Sequence, residues 1–211
     1  MISIQASYAH LVQPFLGKEP TRCYLQGFYV EAAPQGGVFI VATDGHRMAV
    51  FHDETGTADA PAIIKLDKAT ASRCKSPARD IETARRLLIS DDGNATVTYK
   101  DEPEAMQPKA VLDGWSFPNW RRIVPTNISE DTAVTSYNPK YLGDFTAIAK
   151  GSRKSGSIII HNNKAAGGAA VILTGRQDFI GVLMPVAWRD NPAPRQFPFD
   201  ITGMELAIAA D

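Results

Sequence analysis

The chain has 211 residues, long enough for one large or two small domains with a buried core. Hydrophobic residues make up 44% and charged residues 21%, which excludes a disordered chain, a collagen-like repeat and a coiled-coil rod. Lys and Arg total 22 against 23 Asp and Glu, a net charge of −1, which excludes tight nucleic-acid binding by bulk charge alone.

No apolar run approaches the roughly 20 residues that span a bilayer. Met1–Ala6 lacks a basic segment followed by an apolar one, so no secretory signal is expected and the expected location is cytoplasmic. Cys23 and Cys74 form no CxxC pair and no metal-ligand spacing with the four histidines. They read as reduced thiols, and neither metal nor cofactor is expected.

In chain order, Ile2–Gln5 predicts a strand. A helix is predicted from Ser7 to Leu16, with Tyr8, Leu11, Val12 and Phe15 at helical spacing. Strands follow at Cys23–Ala32, Val38–Ala42 and Arg47–Phe51, the last two joined by a hairpin turn at Asp44-Gly45. The order then repeats. Ala62–Leu66 predicts a strand, Asp67 caps a helix to Lys75, and strands are expected at Arg86–Ser90, Ala95–Lys100 and Met106–Leu112. A third round starts with a strand at Thr132–Ser136, a helix from Pro139 to Lys150, and strands at Ser157–His161, Ala169–Thr174 and Ile180–Val186. Three strand–helix–three-strand units of about 60 residues argue for internal repetition. Gly114–Pro125 and Arg189–Asp211 fall outside the repeat; Met204–Ala210 could add a helical turn or two.

Charge is not spread evenly. The second unit's helix region holds Lys65, Lys68, Arg73, Lys75 and Arg79, and the third holds Lys140, Lys150, Arg153 and Lys154. Acidic residues gather at Asp53-Glu54, Asp91-Asp92, Asp101-Glu102 and Glu130-Asp131. If the helices share one side, that side is positive and its rim negative.

Asp44 and His46 could act as acid and base across a turn. No nucleophile motif accompanies them, and no phosphate-binding loop is present, because Lys164 precedes Gly167-Gly168 with no Ser or Thr after a Gly-Lys pair. A turn whose polar side chains satisfy the backbone is the simpler reading, and no enzymatic activity is expected. The stretch Gly114–Pro125, with two Trp, a Phe and paired arginines, fits either a core-anchored linker or a partner surface.

Three segments carry a resemblance. Val41-Ala42-Thr43-Asp44-Gly45-His46-Arg47-Met48-Ala49 resembles the ATDGHRLA signature of bacterial sliding clamps, the beta subunit of DNA polymerase III. Phe117-Pro118-Asn119-Trp120-Arg121-Arg122-Ile123-Val124-Pro125 resembles the family's FPDYRRVLP, and Val182-Leu183-Met184-Pro185-Val186 its VVMPM. They occur in the family's order, and Arg22–Gly27 fits its RYYLNG segment. The resemblance covers residues 1–188. It implies an α+β DNA-clamp fold: residues 1–125 as one clamp domain like the family's middle one, 126–188 as a half-domain like the end of its last, and 189–211 as an extension.

The implied role is a non-catalytic ring around double-stranded DNA that tethers a polymerase and takes peptides from polymerases and the clamp loader. Homo-oligomers and no membrane contact are implied. Carried over by motif, the peptide groove would hold Leu25, Thr43, Gly45, His46, Arg47 and Met48 from the first unit. Pro118, Arg122 and Ile123 would come from the linker, and Val182, Leu183, Met184, Pro185 and Val186 from the third unit. Arg47 and Arg122 would bond the peptide at its edge. The DNA-facing set would be Arg22, Tyr24, Lys68, Arg73, Lys75, Lys150, Arg153 and Lys154.

Family chains have six units; this one has three, so its half-domain edge is expected to pair with another chain or lie under 189–211. Ala187 stands where the family usually has Arg, and Trp120 where it has Tyr. A peptide-binding regulator that never encircles DNA is the alternative.

Overall fold

The computed structural model describes residues 1–75, 85–124, 135–150, 157–162 and 167–186. The first unit opens with β1 (Ile2–Gln5) running directly into α1 (Ala6–Leu11). The predicted helix to Leu16 breaks in two: Pro14 cannot donate to a continuing helix, and Gln13–Phe15 forms a separate 3-10 turn. Cys23–Leu25 is also a 3-10 turn rather than strand, so β2 starts at Phe28 and ends at Ala32. Between them Gly27 sits so close to Ile64 that a Cβ would lie 2.7 Å from its carbonyl oxygen, leaving room only for glycine. β3 (Val38–Thr43), β4 (Arg47–Asp53) and the short β5 (Thr57–Ala58) follow.

The second unit is β6 (Ala62–Ile64), α2 (Lys68–Arg73), β7 (Arg86–Ile89), β8 (Ala95–Tyr99) and β9 (Glu102–Gln107). Asp67 caps α2 as predicted, its carboxylate accepting from the Thr70 amide at 2.7 Å. The strand expected at Met106–Leu112 lies earlier, at β9. Glu102, Pro103 and Glu104 hide it from a hydrophobic pattern because it runs along an exposed edge.

The third unit contributes α3 (Pro139–Lys150), β10 (Ile158–His161), β11 (Ala169–Leu173) and β12 (Phe179–Leu183). Of the strand expected at Thr132–Ser136, residues 132–134 lie outside the described residues, and Thr135 and Ser136 are not in a strand. The turns expected at Met204–Ala210 also lie outside.

Two antiparallel sheets result, ordered β5-β1-β7-β8-β9 and β10-β11-β12-β4-β3-β2-β6. The first strands of units 1 and 2 change places: β1 pairs with β7 (Ile4 opposite Leu87) and β6 with β2 (Phe28 opposite Ile64). The third unit joins at the other edge of unit 1, where β12 pairs with β4 from Phe179–Phe51 to Leu183–Arg47.

Strand alternation gives the seven-stranded sheet two apolar faces. Phe28, Val30, Ile40, Phe51, Val171 and Leu183 point into the main core, together with Ile4, Phe15, Leu87 and the α3 residues Phe145 and Ile148. Each fully buried large side chain there contributes about 1.5–3 kcal/mol. Gly181 on β12 makes room for the Phe145 ring, whose Cε1 would lie 2.5 Å from any Cβ. On the opposite face Val41, Met48, Val50 and Val182 pack under Trp120 and Phe117. The 114–124 stretch is thus anchored at Phe117 and Trp120, while Trp115 stays half exposed.

Candidate functional site

The β3–β4 connection carries the first motif. Thr43 pairs with Met48, leaving a four-residue loop rather than a two-residue turn. Gly45 takes φ +90° there, a conformation that costs other residues strain. Thr43 Oγ donates to the Arg47 carbonyl at 2.8 Å and accepts from the Gly45 amide at 3.1 Å. Asp44 Oδ1 accepts from the His46 and Arg47 amides, at 2.9 and 3.1 Å, and Oδ2 from Arg47 Nε at 3.2 Å. Asp44 is therefore fully committed to shaping the loop, which supports its structural reading over an acid–base one.

Arg47 occupies a different place from the groove edge expected for it. It is 7% exposed, pointing to the helix side between the rings of Phe15 and Tyr141, 5.1 and 4.6 Å from their centroids. Besides Asp44, it donates to the Asp144 carboxylate on α3 and to the Pro14 carbonyl at 2.6 Å. A guanidinium can be buried only with such partners, so Arg47 fastens unit 1 to unit 3 rather than facing a ligand. Sequence offered no sign of this, since Asp144 is remote in the chain and a buried Arg has no periodicity. A second tie joins the same units: the Tyr8 hydroxyl on α1 donates to Asp178 at 3.0 Å, and Arg176 pairs with the same carboxylate at 2.7 Å. Burial pushes the Asp178 pKa up, but Arg176 and the Tyr8 hydroxyl outweigh it and leave the group below the usual carboxylate range.

Beside the loop, the Met184 amide donates to the His46 carbonyl at 2.8 Å. This bond aligns the third unit's Val182–Val186 segment with the first unit's Thr43–Met48 segment. His46 is exposed and its ring stacks on Tyr141, centroids 5.8 Å apart. Gly168 lies against this segment, where a Cβ would meet Val182 Cγ1 at 2.6 Å and Met184 Sδ at 3.1 Å. Leu25, Thr43, Met48, Val182 and Leu183 are buried; Met184 and Pro185 are partly exposed, and Val186 is exposed. Pro118, Arg122 and Ile123 are also exposed, flanking the anchored Trp120. Trp120 Nε1 and Arg121 both donate to Glu31, at 2.9 and 2.6 Å, and Arg121 lies over the Trp120 ring. Glu31 and Arg121 were not among the expected residues; the Trp-Arg pair in the linker was the only hint of them.

The three helices lie on one side of the sheets. His10 of α1 contacts the Ala71 carbonyl of α2 at 3.2 Å, and Phe15 meets Phe145 of α3 edge-on at 5.1 Å. Lys68, Arg73, Lys75 and Lys140 are exposed there. Arg22 pairs with Glu19 at 3.2 Å and its Nη1 approaches Gly45; Tyr24 lies 6.2 Å from the Trp115 ring. Arg153 and Lys154 lie outside the described residues, as does the Lys150 side chain. The thiols differ: Cys74 is buried, which pushes its pKa up to about 12, while Cys23 is partly exposed beside Arg22.

Paired strand–helix–three-strand units with exchanged first strands define the DNA-clamp fold. Solved structures agree: the DNA polymerase III subunit beta of Borrelia burgdorferi superposes with TM-score 0.68 at 14% identity over 89% of this chain and 64% of its own. The Bartonella birtlesii sliding clamp bound to griselimycin gives 0.63 at 18% identity, over 89% and 66%. In sequence, the chain is 31% identical over 123 residues to the beta sliding clamp of Caulobacter vibrioides, covering 52% of this chain and 29% of that protein. No protein-family model matches. The chain is thus similar in sequence to a part of these clamps and shares their fold. The match spans under a third of the curated relative's length, and the superpositions about 65% of the solved clamps.

Proposed function

We propose that the chain is a non-catalytic sliding-clamp subunit. It encircles double-stranded DNA as a homo-oligomer in the cytoplasm, without reading sequence, and tethers a DNA polymerase or other replication and repair proteins. The tether is a short apolar peptide seated across the seam of units 1 and 3. The seam itself carries the reading: the Met184–His46 backbone bond at 2.8 Å brings together motif segments from two distant units. Met48 and Val182 lie beneath in one cluster with Trp120; in this reading Leu25 adds to that floor, and Met184, Pro185, Ile123 and Arg122 supply the open wall. Methionine side chains adapt to varied apolar partners, and Arg122 is free of the network that holds Arg47, so it bonds the peptide edge. The shared helix side, with exposed Lys68, Arg73 and Lys75, supports a DNA-facing surface, and Arg22 and Tyr24 belong to the turn beside it.

A labelled Gln/Leu/Phe-type clamp-binding peptide is expected to bind the wild type and to lose at least tenfold in affinity with Met184→Ala or Arg122→Ala. Normal binding by both variants would overturn the groove. Retention on closed circular DNA after clamp-loader treatment tests the ring. Peptide binding without retention favours the second reading, a peptide-binding regulator of replication proteins.

A further inference from the structure

The 114–124 stretch is held to the seven-stranded sheet by two outward residues of β2. Tyr29 and Glu31 stand two apart on one face of the strand, and their register partners on β3 are Val41 and Phe39. The Phe117 ring stacks flat on Tyr29, centroids 4.9 Å apart, and Trp120 meets Phe39 edge-on at 5.5 Å. The Glu31 carboxylate joins these two contacts by gathering three donors. Oε1 accepts from Trp120 Nε1 at 2.9 Å and from Arg121 Nη1 at 2.6 Å, and Oε2 accepts from the Tyr29 hydroxyl at 3.3 Å. Burial and that carboxylate raise the Tyr29 pKa, so the hydroxyl keeps the proton it donates. Arg121 also covers the indole, its guanidinium carbon 4.4 Å from the Trp120 centroid.

These anchors matter because the turn they fix is weakly held by its own backbone. Trp120–Ile123 is one 3-10 turn with long bonds: Arg122 N to Asn119 O at 3.4 Å and Val124 N to Arg121 O at 3.3 Å. Trp120 is 7% exposed and packs in one cluster with Met48 and Val182, and Val124 packs against the same cluster. The exposed Arg121, Arg122 and Ile123 therefore span the gap between two packed attachments. A buried indole N–H needs an acceptor, and Glu31 supplies it, which sets the ring and with it the turn.

We infer that Glu31 is the positioning residue of the groove wall; this rests on the peptide groove proposed above. Glu31 does not touch the peptide. It orients Trp120 and Arg121, and through their shared turn it sets where Arg122 and Ile123 stand against the bound peptide. The same carboxylate occupies Arg121, so that Arg122 is the guanidinium offered at the peptide edge.

A double-mutant cycle in the labelled-peptide titration tests this. Glu31→Ala is expected to weaken binding about tenfold in the wild-type background and at most about threefold beside Arg122→Ala, because both changes then remove one effect. A purely structural loss would act equally in both backgrounds. Exchange of the indole protons reads the anchor without any peptide. Of the three tryptophan Nε1 protons, that of Trp120 is expected to be protected in the wild type and to exchange at least about tenfold faster in Glu31→Ala, while the backbone amides of β2 and β3 hold. Should Glu31→Ala fail to fold, Arg121→Ala, at a half-exposed position, takes its place in the cycle with the same pattern expected. Equal losses in both backgrounds, wild-type affinity in the folded variant, or an unprotected Trp120 indole in the wild type would overturn the inference and leave the groove standing. A wild-type chain that binds no peptide would remove the groove and this inference together.

Discussion

Unit 1 meets its two neighbours by different physics. Against unit 2 it exchanges a first strand, so Ile4 and Ile64 sit in the companion's sheet and their burial belongs to both units. Against unit 3 it offers the edge of β4, a ladder of five register pairs ending at Leu183–Arg47, reinforced by the buried charges around Arg47 and Asp178. The exchanged junction has no separable halves: two ladders and a shared apolar core join the units, and Arg86 adds bonds to Ser3 and Thr55 and a pairing with buried Asp53 at 3.8 Å. The edge junction is held by a ladder and by charge pairs, and it is there that two motif segments lie open beside each other.

The contrast can be broken at either side. Ile4→Ala should cost the most, about 2–5 kcal/mol, and lower the urea midpoint of units 1 and 2 together, because no part of the exchanged domain survives alone. A second, earlier transition for one of the two units would contradict it. Arg47→Ala strands Asp44 and Asp144 and should cost about 3 kcal/mol. Its effect should be local: amide protection in α3 and β12 falls while that of β7 and β8 holds. Uniform loss of protection would mean the two junctions are not separable.

Acid should sharpen the same difference. The Asp178 pKa is depressed in the folded chain, so its stabilisation is present above the ordinary carboxylate value, near 3.9, and drains away as pH falls through the folded value. Asp178→Asn should flatten the acid limb of the unit 3 transition and leave the unit 1–2 transition unchanged. Smallest of all, Asp67→Ala removes the α2 cap and should cost about 1 kcal/mol, confined to α2.

Much of this architecture was legible because local chemistry agreed with it. Asp67 and Pro139 announced helix starts, and the apolar run Val38–Ala42 and the alternation in Ala95–Lys100 announced strands. The failures have physical causes. β9 is an exposed edge strand with Pro103 in it, so it lacks the apolar signal of a half-buried one. Cys23–Leu25 turns where a strand was expected, its local bonds Leu25 N to Arg22 O at 2.9 Å and Gln26 N to Cys23 O at 3.0 Å leaving no trace in a hydrophobic pattern. Strand exchange leaves no trace in any window of sequence, since β1 and β7 are each ordinary strands. The motif segments were legible as candidates, but which of their side chains face outward was not: Met48 and Arg47 are neighbours that point to opposite faces of one sheet, and both are buried.

The unequal thiols make the wild-type chain its own spectroscopic tool. Only thiolate attacks maleimides and iodoacetamides, and Cys74 is both sealed in the core and pushed up to about 12. Cys23, the only other cysteine, stands partly exposed between Arg22 and Tyr24. A dye added near neutral pH should therefore attach once, on the turn whose Arg22 reaches Gly45, and one fluorescence trace could then follow both faces of that turn without any mutation.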